Sequence, residues 1–181
     1  MNKSLKNKKI AIIIAFRDFR DEEYFIPKQI LEASGAQIKT ISTSLGQAIG
    51  KFGGETEVDI VLDDLKIGEY DAVLFIGGPG AGKHIDDSRF HDVAQEVIRQ
   101  NILLGAICVA PAILARAGVL SGKKATVWAD SMDKSAVKIL KEEGVRYQPD
   151  SVVIDGKIIT ANGPAVAKEF AEKIIELLTG L

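Results

Sequence analysis

Leu104-Gly105-Ala106-Ile107-Cys108-Val109-Ala110-Pro111-Ala112-Ile113-Leu114 is a short apolar strand that runs directly into a helix, with the chain's one cysteine at the junction. A thiol on such a turn faces the unpaired N–H groups of the helix start, where the dipole favours thiolate. Free cysteine is also among the most buried residue types, so a small hydrophobe closing a strand fits the same letters. The stretch leaves both readings open, but it sets the fold. Two upstream segments, 9–15 and 71–76, are apolar runs of the same kind, as expected of strands covered on both faces in a parallel sheet.

Between these runs the periodicity alternates. A charged segment at 17–23 leads into a helix with Phe25, Ile26, Ile30, Leu31 and Ala33 inward and Gly35 past its end, which places Pro27 in the first turn. Residues 37–42 read as the next strand. Residues 44–55 hold four glycines and read as a loop or hairpin, followed by a short strand at 58–62. The 71–76 strand ends in Gly77-Gly78-Pro79-Gly80-Ala81-Gly82. Ser88 is positioned to cap a helix bearing Phe90, Val93, Ala94, Val97 and Ile98.

After the cysteine the pattern predicts a helix at 110–117, a strand at 124–128, and a helix capped by Ser131 with Met132, Ala136, Ile139 and Leu140 inward. Asp155-Gly156 between two apolar runs is a hairpin signal, and Pro164 opens the last helix, with Phe170, Ile174, Leu177 and Leu178 on its buried stripe. Strand and helix alternate throughout. The expectation is one domain over 1–181: a three-layer α/β/α sandwich on a mostly parallel central sheet, with 1–8 as a flexible lead-in.

Composition excludes several roles. A net charge of −2 gives no basic footprint, so nucleic acid is not an expected partner, and Lys3, Lys6, Lys8 and Lys9 read as a solvated lead-in. No apolar run reaches the roughly 18 residues of a membrane span, and 10–16 meets charged residues instead of a cleavage site. One cysteine forms no internal disulfide, which fits a reducing cytoplasm. With two distant histidines it makes no metal-ligand pattern either, so no metal is expected. The glycine loop is a poor dinucleotide fingerprint, because Pro79 interrupts it and no acidic residue is placed to read a ribose; no cofactor is expected.

In a sheet of this kind ligands gather outside the carboxyl ends of the central strands. Three such ends carry chemistry: Glu22 and Glu23 after the first strand, Gly77 and Gly78 after the third long one, and Cys108 after the next. Glycines there expose N–H groups suited to an oxyanion. That convergence favours the reactive reading of Cys108. His84, a few residues past the glycine loop, could approach the pocket mouth; His91 falls on an amphipathic helix.

Four ordered motifs now bear on family: Asp21-Glu22-Glu23-Tyr24-Phe25-Ile26-Pro27, Phe75-Ile76-Gly77-Gly78-Pro79-Gly80, Gly105-Ala106-Ile107-Cys108-Val109-Ala110-Pro111 and Thr160-Ala161-Asn162-Gly163-Pro164. Together they resemble the ThiJ/PfpI superfamily, a branch of the class I glutamine-amidotransferase-like, flavodoxin-like fold, over about residues 8–179. The resemblance implies that Cys108 is the elbow nucleophile and oxidation site. It implies that Glu23, four residues before Pro27, hydrogen-bonds the sulfur, and that Gly78 and Val109 supply backbone donors. Glu22 then reads as an ordinary exposed charge. Family peptidases place histidine where this chain has Val109, and several relatives place another where Trp128 aligns, so the base a cysteine peptidase needs is missing from both positions.

The leading expectation is therefore an enzyme acting on small reactive 2-oxoaldehydes or their adducts through Cys108 and Glu23. A redox-sensing protein oxidised at Cys108 without turnover is the alternative. A peptide-cleaving reading needs His84 or a neighbouring subunit to supply the base. Amidotransferase activity is weaker still, because no histidine and glutamate pair follows near the end of the chain. The resemblance also implies a homo-oligomer, a dimer or larger.

Overall fold

The computed structural model describes residues 4–180. Seven strands form the central sheet in the order β11-β12-β8-β7-β1-β3-β6: β1 (Lys9–Ile13), β3 (Gln37–Ser42), β6 (Ile60–Val61), β7 (Ala72–Phe75), β8 (Leu103–Ile107), β11 (Val152–Asp155) and β12 (Ile158–Ala161). All neighbours are parallel except the β11–β12 hairpin, which turns at Asp155-Gly156 and edges the sheet. This is the expected mostly parallel α/β sandwich.

The period-two pleat explains why the strands read as unbroken apolar runs. Along β1, Ile10 and Ile12 pack with Tyr24, Leu31, Phe170 and Ile174, from α1 (Asp21–Ala33) and α6 (Ala167–Thr179). Ala11 and Ile13 face the other layer and pack with Phe90, Val97, Ile113 and Leu114 of α3 (Ser88–Arg99) and α4 (Ala110–Arg116). Both faces are buried, so neither can be polar. Truncating Phe170, which is fully buried, would cost about 3–5 kcal/mol.

Several local expectations are corrected. Pro27 lies seven residues into α1 instead of in its first turn. The helix starts earlier because Asp21, Glu22 and Glu23 suit its positive end. Of the loop and the hairpin expected over 44–55, the hairpin forms and extends further: β4 (Gly46–Gly50) pairs antiparallel with β5 (Glu55–Val58), and β2 (Arg17–Phe19) joins them in a separate three-stranded sheet. Asp87, not Ser88, caps α3, its side chain accepting from the Arg89 N–H at 3.1 Å. The predicted helix from Ser131 begins only at α5 (Ser135–Glu142). Asp130 folds the preceding residues into a turn by accepting from the N–H groups of Met132 and Asp133, which leaves Met132 exposed.

The strand expected at 124–128 is limited to β9 (Lys124–Ala125), paired with β10 (Arg146–Tyr147) outside the main sheet. Lys3 and the first residues of the lead-in lie outside the described residues; within 4–8, Leu5 is fully buried and Lys8 pairs with Asp71 at 2.9 Å. Among the described residues no helix is long and apolar enough to cross a membrane.

Candidate active site

Cys108 follows β8 and precedes the first turn of α4, with a φ of 65°. For a residue with a side chain this is a strained, left-handed conformation, held only because its surroundings fix both peptide groups. The Cys108 N–H donates to Ala161 at 2.9 Å, and its carbonyl accepts from the Trp128 N–H at 2.8 Å. The turn thrusts the side chain off the sheet end, into a cleft of about 490 Å³.

Glu23 reaches the same point from α1. It belongs to the buried face of that helix with Tyr24, Pro27 and Leu31, and it is completely shielded from solvent. Oε2 accepts from the Gly77 N–H at 3.1 Å, while Oε1 is buried without a hydrogen bond of good geometry. Burial pushes the carboxyl up to about 7, against the pull of the Cys108 thiol, the Gly77 N–H and the Arg20 charge. Burial also raises the Cys108 thiol, and the neighbouring Glu23 charge raises it further.

The helix-dipole expectation, that the fold by itself favours the thiolate, is thus outweighed when Glu23 is ionised. N–H groups of Gly78 and Val109 act in the opposite direction, stabilising the sulfur anion. Cys108 and Glu23 titrate as one unit. One proton and one negative charge are shared between a buried acid and a half-buried thiol, and the doubly ionised form is disfavoured.

The glycine pair is there because nothing larger fits. A Cβ on Gly77 would sit 2.5 Å from the Cys108 Cβ and 2.8 Å from Glu23 Oε2. Gly78 has φ 106°, and a Cβ there would meet the Arg20 nitrogen at 2.5 Å. The structure thus brings Cys108, Glu23, Gly77, Gly78 and Val109 together, and Trp128 joins them along the cleft wall.

His84 does not line the cleft. Its Nδ1 pairs with Asp87 at 3.0 Å and its ring stacks on Phe90 at 4.4 Å, so the ring is engaged in anchoring the start of α3. His91 bonds the Ile85 carbonyl at 2.7 Å. Among the described residues no imidazole lines the sulfur's cleft. Among the described residues no three His, Cys, Asp or Glu side chains form a group that could hold a metal ion.

Among the cleft residues that sequence reasoning did not assign to the site are Arg20, Asp133, Ser135 and Pro164. Arg20 and Pro164 each stand within or directly beside a quoted motif, and that adjacency was the available signal. Asp133 and Ser135 arrive only through the turn that Asp130 organises.

Comparisons with known proteins bear on the family. The model of the DJ-1/PfpI family matches residues 8–177. An uncharacterised protein of Methanocaldococcus jannaschii is 34% identical over 97% of this chain and 84% of its own. A glutathione-independent glyoxalase of Caenorhabditis elegans is 29% identical over 96% of this chain and 90% of its own. Among solved structures, a ThiJ/PfpI domain protein from Brachyspira murdochii superposes with a TM-score of 0.90 at 34% identity, covering 97% and 99% of the two chains. Drosophila melanogaster DJ-1beta superposes at 0.81 with 28% identity, covering 96% and 91%. A family match across residues 8–177, together with relatives 34% identical over nearly the whole chain, leads to one conclusion: this chain belongs to the DJ-1/PfpI family.

Proposed function

We propose that the protein converts small 2-oxoaldehydes to 2-hydroxy acids without a cofactor, as a glutathione-independent glyoxalase. The observation that carries this reading is the buried Glu23 carboxyl, pushed up to about 7 beside Cys108, in a cleft that no histidine among the described residues lines. A general acid and base works best when its pKa lies near the operating pH.

In the singly ionised pair the charge rests on Glu23, because burial and that charge raise the thiol well above the carboxyl, and the carboxylate takes the thiol proton as the sulfur adds. The thiolate lone pair adds to the aldehyde carbon, and the carbonyl π pair moves to oxygen beside the N–H groups of Gly78 and Val109. Glu23 gives that oxygen its proton, forming a hemithioacetal. The carboxylate then removes the hydrogen from the former aldehyde carbon, and the electrons pass through the new C–C double bond to the ketone oxygen. Glu23 returns the proton to the second carbon as the hydroxyl proton shifts between the two oxygens. The result is a thioester of a 2-hydroxy acid, which water cleaves to the acid and free Cys108. One carbon is oxidised and its neighbour reduced, so no outside oxidant takes part.

The test is methylglyoxal consumption with lactate measured as product, for wild type, Cys108→Ser and Glu23→Gln. The wild-type rate should rise with pH through about 7, because the fully protonated pair has neither thiolate nor base. A wild-type rate no higher than that of Cys108→Ser would overturn the reading.

A second reading is favoured by the buried Glu23 Oε1, which has no good hydrogen bond while the cysteine is a thiol. Two equivalents of peroxide would convert the Cys108 thiolate to a sulfinate, releasing two waters, and protonated Glu23 would donate to the new oxygen. Intact mass after mild peroxide tests it: two added oxygens that become no less selective in Glu23→Gln would count against the assigned contact.

A further inference from the structure

Building on the glyoxalase reading, we infer that Arg20 is the catalytic cation of the reaction, its guanidinium binding the second oxygen of the substrate as negative charge develops there. An enediolate has two oxygens. The oxygen on the carbon bonded to sulfur is served by the N–H groups of Gly78 and Val109, and the other needs a donor of its own. Arg20 is the cationic side chain lining the cleft.

Its placement is fixed from three sides. The Arg20 N–H donates to the Gly77 carbonyl at 3.0 Å, and its main chain lies so close to Gly78 that a Cβ on Gly78 would sit 2.5 Å from the Arg20 nitrogen. Arg20 is therefore built against one of the two oxyanion donors. Beyond the main chain, Nε donates to Glu22 Oε2 at 2.8 Å and Nη2 to Glu22 Oε1 at 3.4 Å. The guanidinium also stacks over the Phe52 ring, 4.8 Å from its centroid. Nη1 has no hydrogen-bond partner among the described residues. Glu22, an ordinary surface charge by sequence, is thus the partner that holds the guanidinium. The charges of both Cys108 and Glu23 are felt at Arg20.

Charge balance in the cleft indicates when the arginine acts. Asp133 stands on the lining opposite in sign to Arg20, and the Cys108–Glu23 pair adds a negative charge. The cleft offers no net positive field to select an anionic substrate. It suits a neutral dicarbonyl whose charge appears only during reaction, so the guanidinium contributes in the transition state more than in binding.

The test compares wild type, Arg20→Gln and Arg20→Lys by three readouts. In methylglyoxal turnover, Arg20→Gln should lose about 100-fold in kcat with little change in KM, as for removal of one oxyanion donor, and Arg20→Lys should recover part of the loss. In alkylation of Cys108 by iodoacetamide, which needs no second oxygen, Arg20→Gln should lose far less than kcat does, since a nearby charge but no donor to the sulfur is removed. In protection from that alkylation by glycolohydroxamate, a planar analogue of a cis-enediolate, Arg20→Gln should need about tenfold more analogue, a typical cost for one charged hydrogen bond. Unchanged kcat in Arg20→Gln, or an alkylation rate that falls in step with kcat, would overturn the assignment. Wild type that turns over no 2-oxoaldehyde would overturn the glyoxalase reading instead. The analogue would then still decide Arg20: protection equal in wild type and Arg20→Gln rejects its role, and weaker protection in Arg20→Gln retains it as the anion donor of the cleft.

Discussion

Two carboxylates at opposite ends of the same sheet live by different rules. Asp71, just before β7 at the amino end, accepts from Lys8 Nζ and from the Lys9 N–H, each at 2.9 Å. Burial works against its charge, but these partners outweigh that and hold its pKa below the ordinary range. Glu23, at the carboxyl end, is fully buried with a single N–H donor to its carboxyl, and burial wins. The amino end is arranged for stability. The carboxyl end gathers a strained cysteine, glycines in contact and an underpaired acid, all unfavourable to the fold and useful to chemistry.

The contrast breaks first at the sulfur. Cys108→Ser should lower methylglyoxal turnover by at least about 1,000-fold, the scale of removing a nucleophile, while leaving the thermal midpoint within a few degrees. A variant that kept its rate would detach the elbow from catalysis.

Glu23→Gln separates the two ends thermodynamically. Its folded pKa of about 7 lies above the ordinary 4.5, so its contribution is fully present below 4.5 and is lost as pH rises through 7. At pH 8 the buried charge costs the fold about 3 kcal/mol, taking 1.36 kcal/mol per pKa unit. Denaturant unfolding should therefore find Glu23→Gln more stable than wild type at pH 8, with the advantage shrinking toward pH 4. Turnover of the same variant should fall by about 100-fold or more, as for loss of a general acid and base. A stability difference independent of pH would mean that Glu23 ionises in the fold at its ordinary value instead of near 7.

Gly77→Ala sharpens the steric side of the comparison. Its methyl would meet the Cys108 Cβ and a Glu23 oxygen, so unfolding should show a loss of about 1–3 kcal/mol, typical of overpacking, together with reduced turnover. Smallest of all, Asp71→Asn removes a partly exposed ion pair and should cost no more than about 1 kcal/mol near neutral pH. The Asp71 pKa is lowered, so this stability is present above the ordinary carboxylate value and is lost as pH falls below it. Turnover should be untouched, measured at the same pH as for Cys108→Ser.

Much of this was legible in the chain. Buried parallel strands need apolar residues on both faces, so β1, β7 and β8 announce themselves as runs, and ordered motifs place Glu23, Gly77, Gly78 and Cys108 at neighbouring strand ends. Elements held by side chains distant in sequence were harder. Asp21 accepts from the Phe52 and Gly54 N–H groups and so pins the β4–β5 hairpin beside α1, a contact across about thirty residues that no local pattern records. The same kind of contact decides Trp128, whose N–H is taken by the elbow carbonyl, and His84, whose ring goes to Asp87 and Phe90.

By itself, the sequence determined the α/β sandwich and the single elbow cysteine, because periodicity and motif order are local properties, while Glu23 as its acid came from the family resemblance. Only the tertiary structure decided how that pair ionises, because pKa depends on burial and on neighbours from other elements. It also decided which residues face the cleft: Arg20 enters through its contact with Gly78, and His84 leaves through its contact with Asp87.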